Sequence, residues 1–299
     1  MSRRARRVRR RRFHVAAALV VALAAGATVG AKAWPHTGAT ALVSHASPTP
    51  EESTTVDPDT ELAEAVKKAA AGHDGGVSVA VLDAAGGTSA SYASEDGGTY
   101  DTASIVKVDV LAALLLRAAD EGRSLTAQER TYAAAMIERS DNDATTAVWD
   151  EIGRAGGLDA ANERLGLTGT SGGEGALWGL TQTTAADQLT LLKQVFGVGD
   201  GLVLGADARA YVQGLMGNVE SDQAWGVSAA GDGAAALKNG WLKRSTTGLW
   251  VINSVGRVTV DGRSYLVAVV SRGSATKEAG VDLVEAVAKA AVPVVSGAA

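Results

Sequence analysis

Ser104-Ile105-Val106-Lys107 leads into Val108, Val110 and an unbroken apolar run from Leu111 to Leu116. At i and i+3 the hydroxyl of Ser104 and the amine of Lys107 share one face of a helix. A helix apolar nearly all round is a buried one. A lysine in its first turn is then out of place, because the helix dipole disfavours a cation there and burial lowers its pKa. Both effects push Lys107 toward the neutral amine that can deprotonate a neighbouring hydroxyl. The plain structural alternative is an N-cap serine followed by a lysine that snorkels to solvent. The same spacing recurs at Ser274-Ala275-Thr276-Lys277, so spacing alone does not single out a nucleophile.

Outward from this helix, the hydropathy pattern predicts helices at about 126–138, 143–153, 158–165, 183–196 and 205–216. Before the helical block lie a helix over 60–71, with Leu62, Ala65, Val66 and Ala69 on one face, and a strand on which Val77, Val79 and Val81 alternate. Ser89 to Ala93 can pair with that strand after the Gly86-Gly87 turn. After the block, strands are predicted at 234–240, 248–255 and 263–271, and a helix at 276–291 closes the chain. Strands before and after the block can share one antiparallel sheet, flanked by the N- and C-terminal helices, with the block as an inserted all-α lobe. The fold class is α+β, and a cleft between sheet and lobe is the natural place for a site.

Two further stretches carry chemistry. Ser140-Asp141-Asn142 lies between two predicted helices. All three are favoured capping residues, but a hydroxyl and an amide here can also relay a proton and orient a lysine and a substrate. Lys238-Asn239-Gly240-Trp241 falls on a late strand. Asn-Gly is a strong hairpin-turn signal. The functional reading instead has Lys238 attracting a substrate carboxylate and Gly240 letting a substrate backbone lie close to the strand. The N–H of Trp241 would then join that of Ser104 as an oxyanion hole.

Taken in order, the three stretches resemble the S-x-x-K, S-D-N and K-T-G set of class A β-lactamases and penicillin-binding proteins. The resemblance spans roughly residues 60–292. It implies an acyl-enzyme on Ser104, a lysine base in Lys107, a proton relay through Ser140, and substrate binding by Asn142, Lys238, Asn239, Gly240 and Trp241. The implied reaction is attack on an amide or lactam carbonyl of a β-lactam or a cell-wall peptide, and no metal or organic cofactor is implied. Two departures stand out. Asn239 takes the place of a Thr or Ser. Glu174-Gly175-Ala176-Leu177-Trp178 fits the family's E-x-x-L-N stretch except that it ends in Trp. Glu174 is the candidate base for deacylation, but its loop is short and glycine-rich, so slow turnover is expected.

Composition narrows the alternatives. The 299 residues contain no cysteine, which excludes disulfides, thiolate catalysis and Cys-based zinc sites. The four histidines are His14, His36, His45 and His73, and only His73 falls within the predicted domain. A His-based triad or a His-rich metal site is therefore not expected. From residue 34 on there are 19 Lys plus Arg against 33 Asp plus Glu, so no nucleic-acid partner is expected.

Eight arginines within residues 3–12 precede an uncharged run from Val15 to Ala31, and Ala31-Lys32-Ala33 has the form of a signal-peptidase site. Residues 1–33 are read as a signal peptide or a membrane anchor that engages the export machinery. Arg10-Arg11-Arg12-Phe13 also fits a twin-arginine signal, and both export routes stay open. Residues 34–58 hold four of the five prolines and read as a disordered linker. The hydrolase domain is expected over 59–294, exported and monomeric.

Overall fold

The computed structural model describes residues 56–94 and 98–297; the predicted export segment and nearly all of the predicted linker lie outside them. Helix α1 (Pro58–Ala69) leads into strands β1 (Gly76–Asp83) and β2 (Ser89–Tyr92). Strand β3 (Tyr100–Asp101) and a 3-10 turn over Ala103–Ile105 precede α2 (Val106–Asp120). The lobe continues through α3 (Ala127–Glu138), α4 (Asn142–Glu151), α5 (Arg154–Leu165), β4 (Gln182–Thr183), α6 (Ala185–Phe196) and α7 (Ala206–Gly217). Strands β5 (Ala236–Lys243), β6 (Trp250–Val260) and β7 (Arg263–Ser274) and helix α8 (Lys277–Ser296) complete it.

The five long strands form one antiparallel sheet in the order β2-β1-β7-β6-β5, and β3 pairs separately with β4. The expected α+β architecture is the observed one. Most boundaries move by only a few residues, with physical reasons. Pro58 at the first turn starts α1 two residues early. Thr126 and Glu129 form a reciprocal capping box that fixes the start of α3. Strand β6 runs five residues past its predicted end because Asp261 and Gly262, both at positive φ, close a two-residue hairpin from Val260 to Arg263.

The sheet is buried on both faces, and the pleat divides its side chains between two cores. Val77, Val79 and Val81 of β1 join Leu62 and Val66 of α1 and Leu283, Val287 and Ala291 of α8. Ala80 and Leu82, one residue out of phase, join the core of the helical lobe. Helix α2 runs through that second core, with Val106 to Leu114 all buried. The burial inferred from its apolar sequence is what sets Lys107 into the protein interior.

Candidate active site

Ser104 sits in the 3-10 turn just ahead of α2 rather than in the α-helix itself. The sheet holds this turn in place. Asn253 on β6 donates to the carbonyls of Asp101 and Thr102, both at 2.9 Å. Gly240 on β5 lies so close that an added Cβ would be 2.7 Å from the Ser104 N, 2.8 Å from the Thr102 O and 2.9 Å from the Ile105 N. This corrects the role expected of Gly240. The space it leaves open is filled by the protein's own backbone, which brings the strand carrying Trp241 against the Ser104 amide.

Ala103, immediately before Ser104, has φ of 47°, and Ser140 has φ of 56°. Left-handed backbone at a non-glycine residue costs on the order of 1 kcal/mol or more and persists only where the surroundings enforce it. Both positions flank the same lysine.

Lys107 is fully buried. Its Nζ lies 3.0 Å from Ser104 Oγ, 2.7 Å from the Ser140 carbonyl oxygen, 3.0 Å from Ser140 Oγ and 2.9 Å from Asn142 Oδ1. Burial lowers its pKa from the usual lysine value to about 7, against the opposing charge of Asp141. The neighbours suit the neutral amine. The Ser140 carbonyl and Asn142 Oδ1 can only accept, so they take its two N–H bonds, and its lone pair remains for a hydroxyl proton from Ser104 or Ser140.

Lys238 is also fully buried and donates to Ser140 Oγ at 3.0 Å and to the Asn239 carbonyl at 2.9 Å. Burial, reinforced by the nearby Lys107, pushes its pKa well down. The Ser140 hydroxyl thus bridges two lysines. Ser104, Lys107, Ser140, Asn142 and Lys238, spread over 135 positions of sequence, form one connected cluster. Lys277, by contrast, follows a strand end, and its Nζ lies 4.2 Å from the ring centroid of Trp241. The second S-x-x-K stretch therefore spans an element boundary instead of one helix face.

Lys238–Trp241 lies in the interior of β5, the strand placement expected of it, and not in the hairpin turn that Asn-Gly alone would signal. The expectation for Asn239 changes. Asn239 does not present its amide to a substrate: Nδ2 donates to the carbonyls of Gln223 and Trp225 at 2.8 and 2.9 Å, and the residue is fully buried. It pins the 223–225 segment to β5. Glu174 is exposed and does not line the cleft.

The cleft itself has a volume of about 540 Å³. Ser104, Asn142, Trp178, Leu180, Trp241 and Arg244 are among its lining residues. Lys243 and Arg244 supply the cations that line it directly, and Arg244 pairs with Asp101 at 3.1 Å. Trp178 places its ring centroid 4.9 Å from Lys107 Nζ. Sequence reasoning missed Lys243, Arg244, Trp178 and Asn253. The signal for Trp178 was its replacement of the Asn expected at that position.

The profile of the β-lactamase enzyme family matches residues 126–295. No curated protein matches the chain. Among solved structures, the TLA-3 extended-spectrum β-lactamase superposes with a TM-score of 0.68 at 16% identity, over 78% of this chain and 97% of that one. A β-lactamase from Burkholderia phymatum gives 0.65 at 19% identity, over 80% and 99%. A variant of PBP-A in its acyl-enzyme complex with penicillin G gives 0.64 at 21% identity, over 77% and 94%. At these identities the likeness is one of fold.

Proposed function

Because the chain belongs to the β-lactamase enzyme family, we propose that it is an exported serine hydrolase that opens β-lactam amides through an acyl-enzyme on Ser104 and releases the product slowly. The observation that carries this reading is the buried Lys107, whose amine lies 3.0 Å from Ser104 Oγ and is about half neutral near pH 7. In the proposed step Ser104 Oγ adds to the lactam carbonyl carbon and its proton passes to Lys107. The amides of Ser104 and Trp241 receive the developing oxyanion. The C–N bond breaks as Ser140 hands its proton to the leaving nitrogen and is reprotonated by Lys107 or Lys238. Asn142 holds the lysine, and Lys243 and Arg244 offer the substrate carboxylate its counter-charge.

A second reading, a protein that binds penicillin or a peptidoglycan stem without efficient turnover, is favoured by the exposure of Glu174. Both readings share the first step. Export is supported by the arginine-rich and apolar segment over residues 3–31.

The test is peptide mapping of the full chain after incubation with benzylpenicillin. The adduct is expected on Ser104 and lost in Ser104→Ala, with Ser274 unmodified as the internal control. An adduct on any other serine, or one that survives Ser104→Ala, contradicts the assignment.

A further inference from the structure

The indole of Trp178 shares the cleft with Ser104 and Asn142 and lies against Lys107. It is held there. Trp178 Nε1 donates to Thr146 Oγ1 at 3.2 Å. Thr146 Oγ1 in turn donates to the Asn142 carbonyl at 3.0 Å, and Asn142 Oδ1 is 2.9 Å from Lys107 Nζ. The ring is thus tied, through two residues, to the amine that it covers. An indole has a single N–H donor. That donor is engaged here, so the indole has no N–H left to hold a water molecule, and its face is at most a weak acceptor.

We propose that Trp178 keeps the hydrolytic water away from the Ser104 ester and so acts as a positioning residue that prolongs the acylated state. The inference rests on the reading that Ser104 is acylated. The step it opposes begins when a water oxygen adds to the ester carbonyl carbon and gives its proton to the Lys107 amine. The bond from that carbon to the Ser104 oxygen then breaks, and the proton on Lys107 returns to the serine. The product leaves as a carboxylic acid that ionises in solvent. A water poised for this attack has to share the surroundings of Lys107 with the indole. Closing a site against water is a recognised way to protect a reactive intermediate from hydrolysis.

The experiment forms the benzylpenicillin adduct on the full chain, removes free drug and follows the decay of the adduct by intact mass. Trp178→Ala is expected to speed the decay by about tenfold or more, while Trp178→Phe, which keeps an aromatic face, stays within about threefold of the parent. Thr146→Val keeps the ring but frees its N–H, and its decay rate should fall between these two. Equal lifetimes in Trp178→Ala and the parent would overturn the inference and leave the acylation reading standing. Rapid decay in Trp178→Phe would overturn it too. No adduct on the parent protein would overturn the acylation reading and the inference with it. If Trp178→Ala does not fold, Thr146→Val decides, and decay at the parent rate counts against the proposal.

Discussion

The two sides of the cleft are built to different standards. On one side Lys107 and Lys238 sit on a buried helix and a buried strand, Ser104 and Ser140 lie in the short turns just ahead of α2 and α4, and both lysine head groups have two or more oxygen partners within 3.0 Å. On the other side the glycine-rich segment 172–180 leaves Glu174 exposed and sets Trp178 beside Lys107. The first side has what acylation needs. The second lacks, among the described residues, a carboxylate lining the cleft to activate water. The proposed function follows from this contrast: an acyl-enzyme that forms faster than it is cleared.

The strongest way to break this contrast is to remove the base. Lys107→Ala should slow acylation by about 10³-fold, within the range of general-base contributions. A loss of less than about tenfold would mean that another group takes the serine proton. Next in size is Gly240→Ala, whose Cβ would collide with the Ser104 N and the Thr102 O. Displacing the Ser104 turn by a few tenths of an ångström to about 1 Å should cost roughly 10²-fold in acylation rate. Stopped-flow absorbance with a chromogenic cephalosporin measures both.

The pH profile sharpens the same side. Burial lowers the Lys107 pKa to about 7, and the neutral form is the base in the proposed mechanism. The acylation rate should therefore climb roughly tenfold per pH unit below 7 and level off above it. A climb that continues toward pH 10 would show that Lys107 behaves as an ordinary exposed lysine. The smallest effect belongs to the other side. Glu174→Gln should leave the lifetime of the acyl-enzyme within about twofold, since an exposed carboxylate away from the ester contributes little to the transition state.

The order of helices and strands was legible from periodicity, and so was the burial of α2, because these are local properties of the chain. The convergence of Ser104, Lys107, Ser140 and Lys238 was legible only as a resemblance among three short stretches. What escaped were contacts that sequence-local patterns do not encode. Gly240 reads as a turn or a substrate gap, but its neighbour is the backbone 136 positions earlier, so the reason for a glycine appears only once β5 and the Ser104 turn are brought together. Asn239 and Lys238 are adjacent on a strand buried on both faces, and nothing local says that the amide turns to the 223–225 carbonyls. The E-x-x-L match drew attention to Glu174, although the residue that reaches the site is Trp178, four positions on.

The contrast between the two sides is tested most directly by rapid-quench mass spectrometry of the full chain with excess benzylpenicillin. It predicts a burst of acylation approaching one adduct per molecule, followed by product release at a much slower steady rate that Glu174→Gln does not change. Steady hydrolysis from the first turnover with no accumulated adduct, abolished by Glu174→Gln, would contradict it.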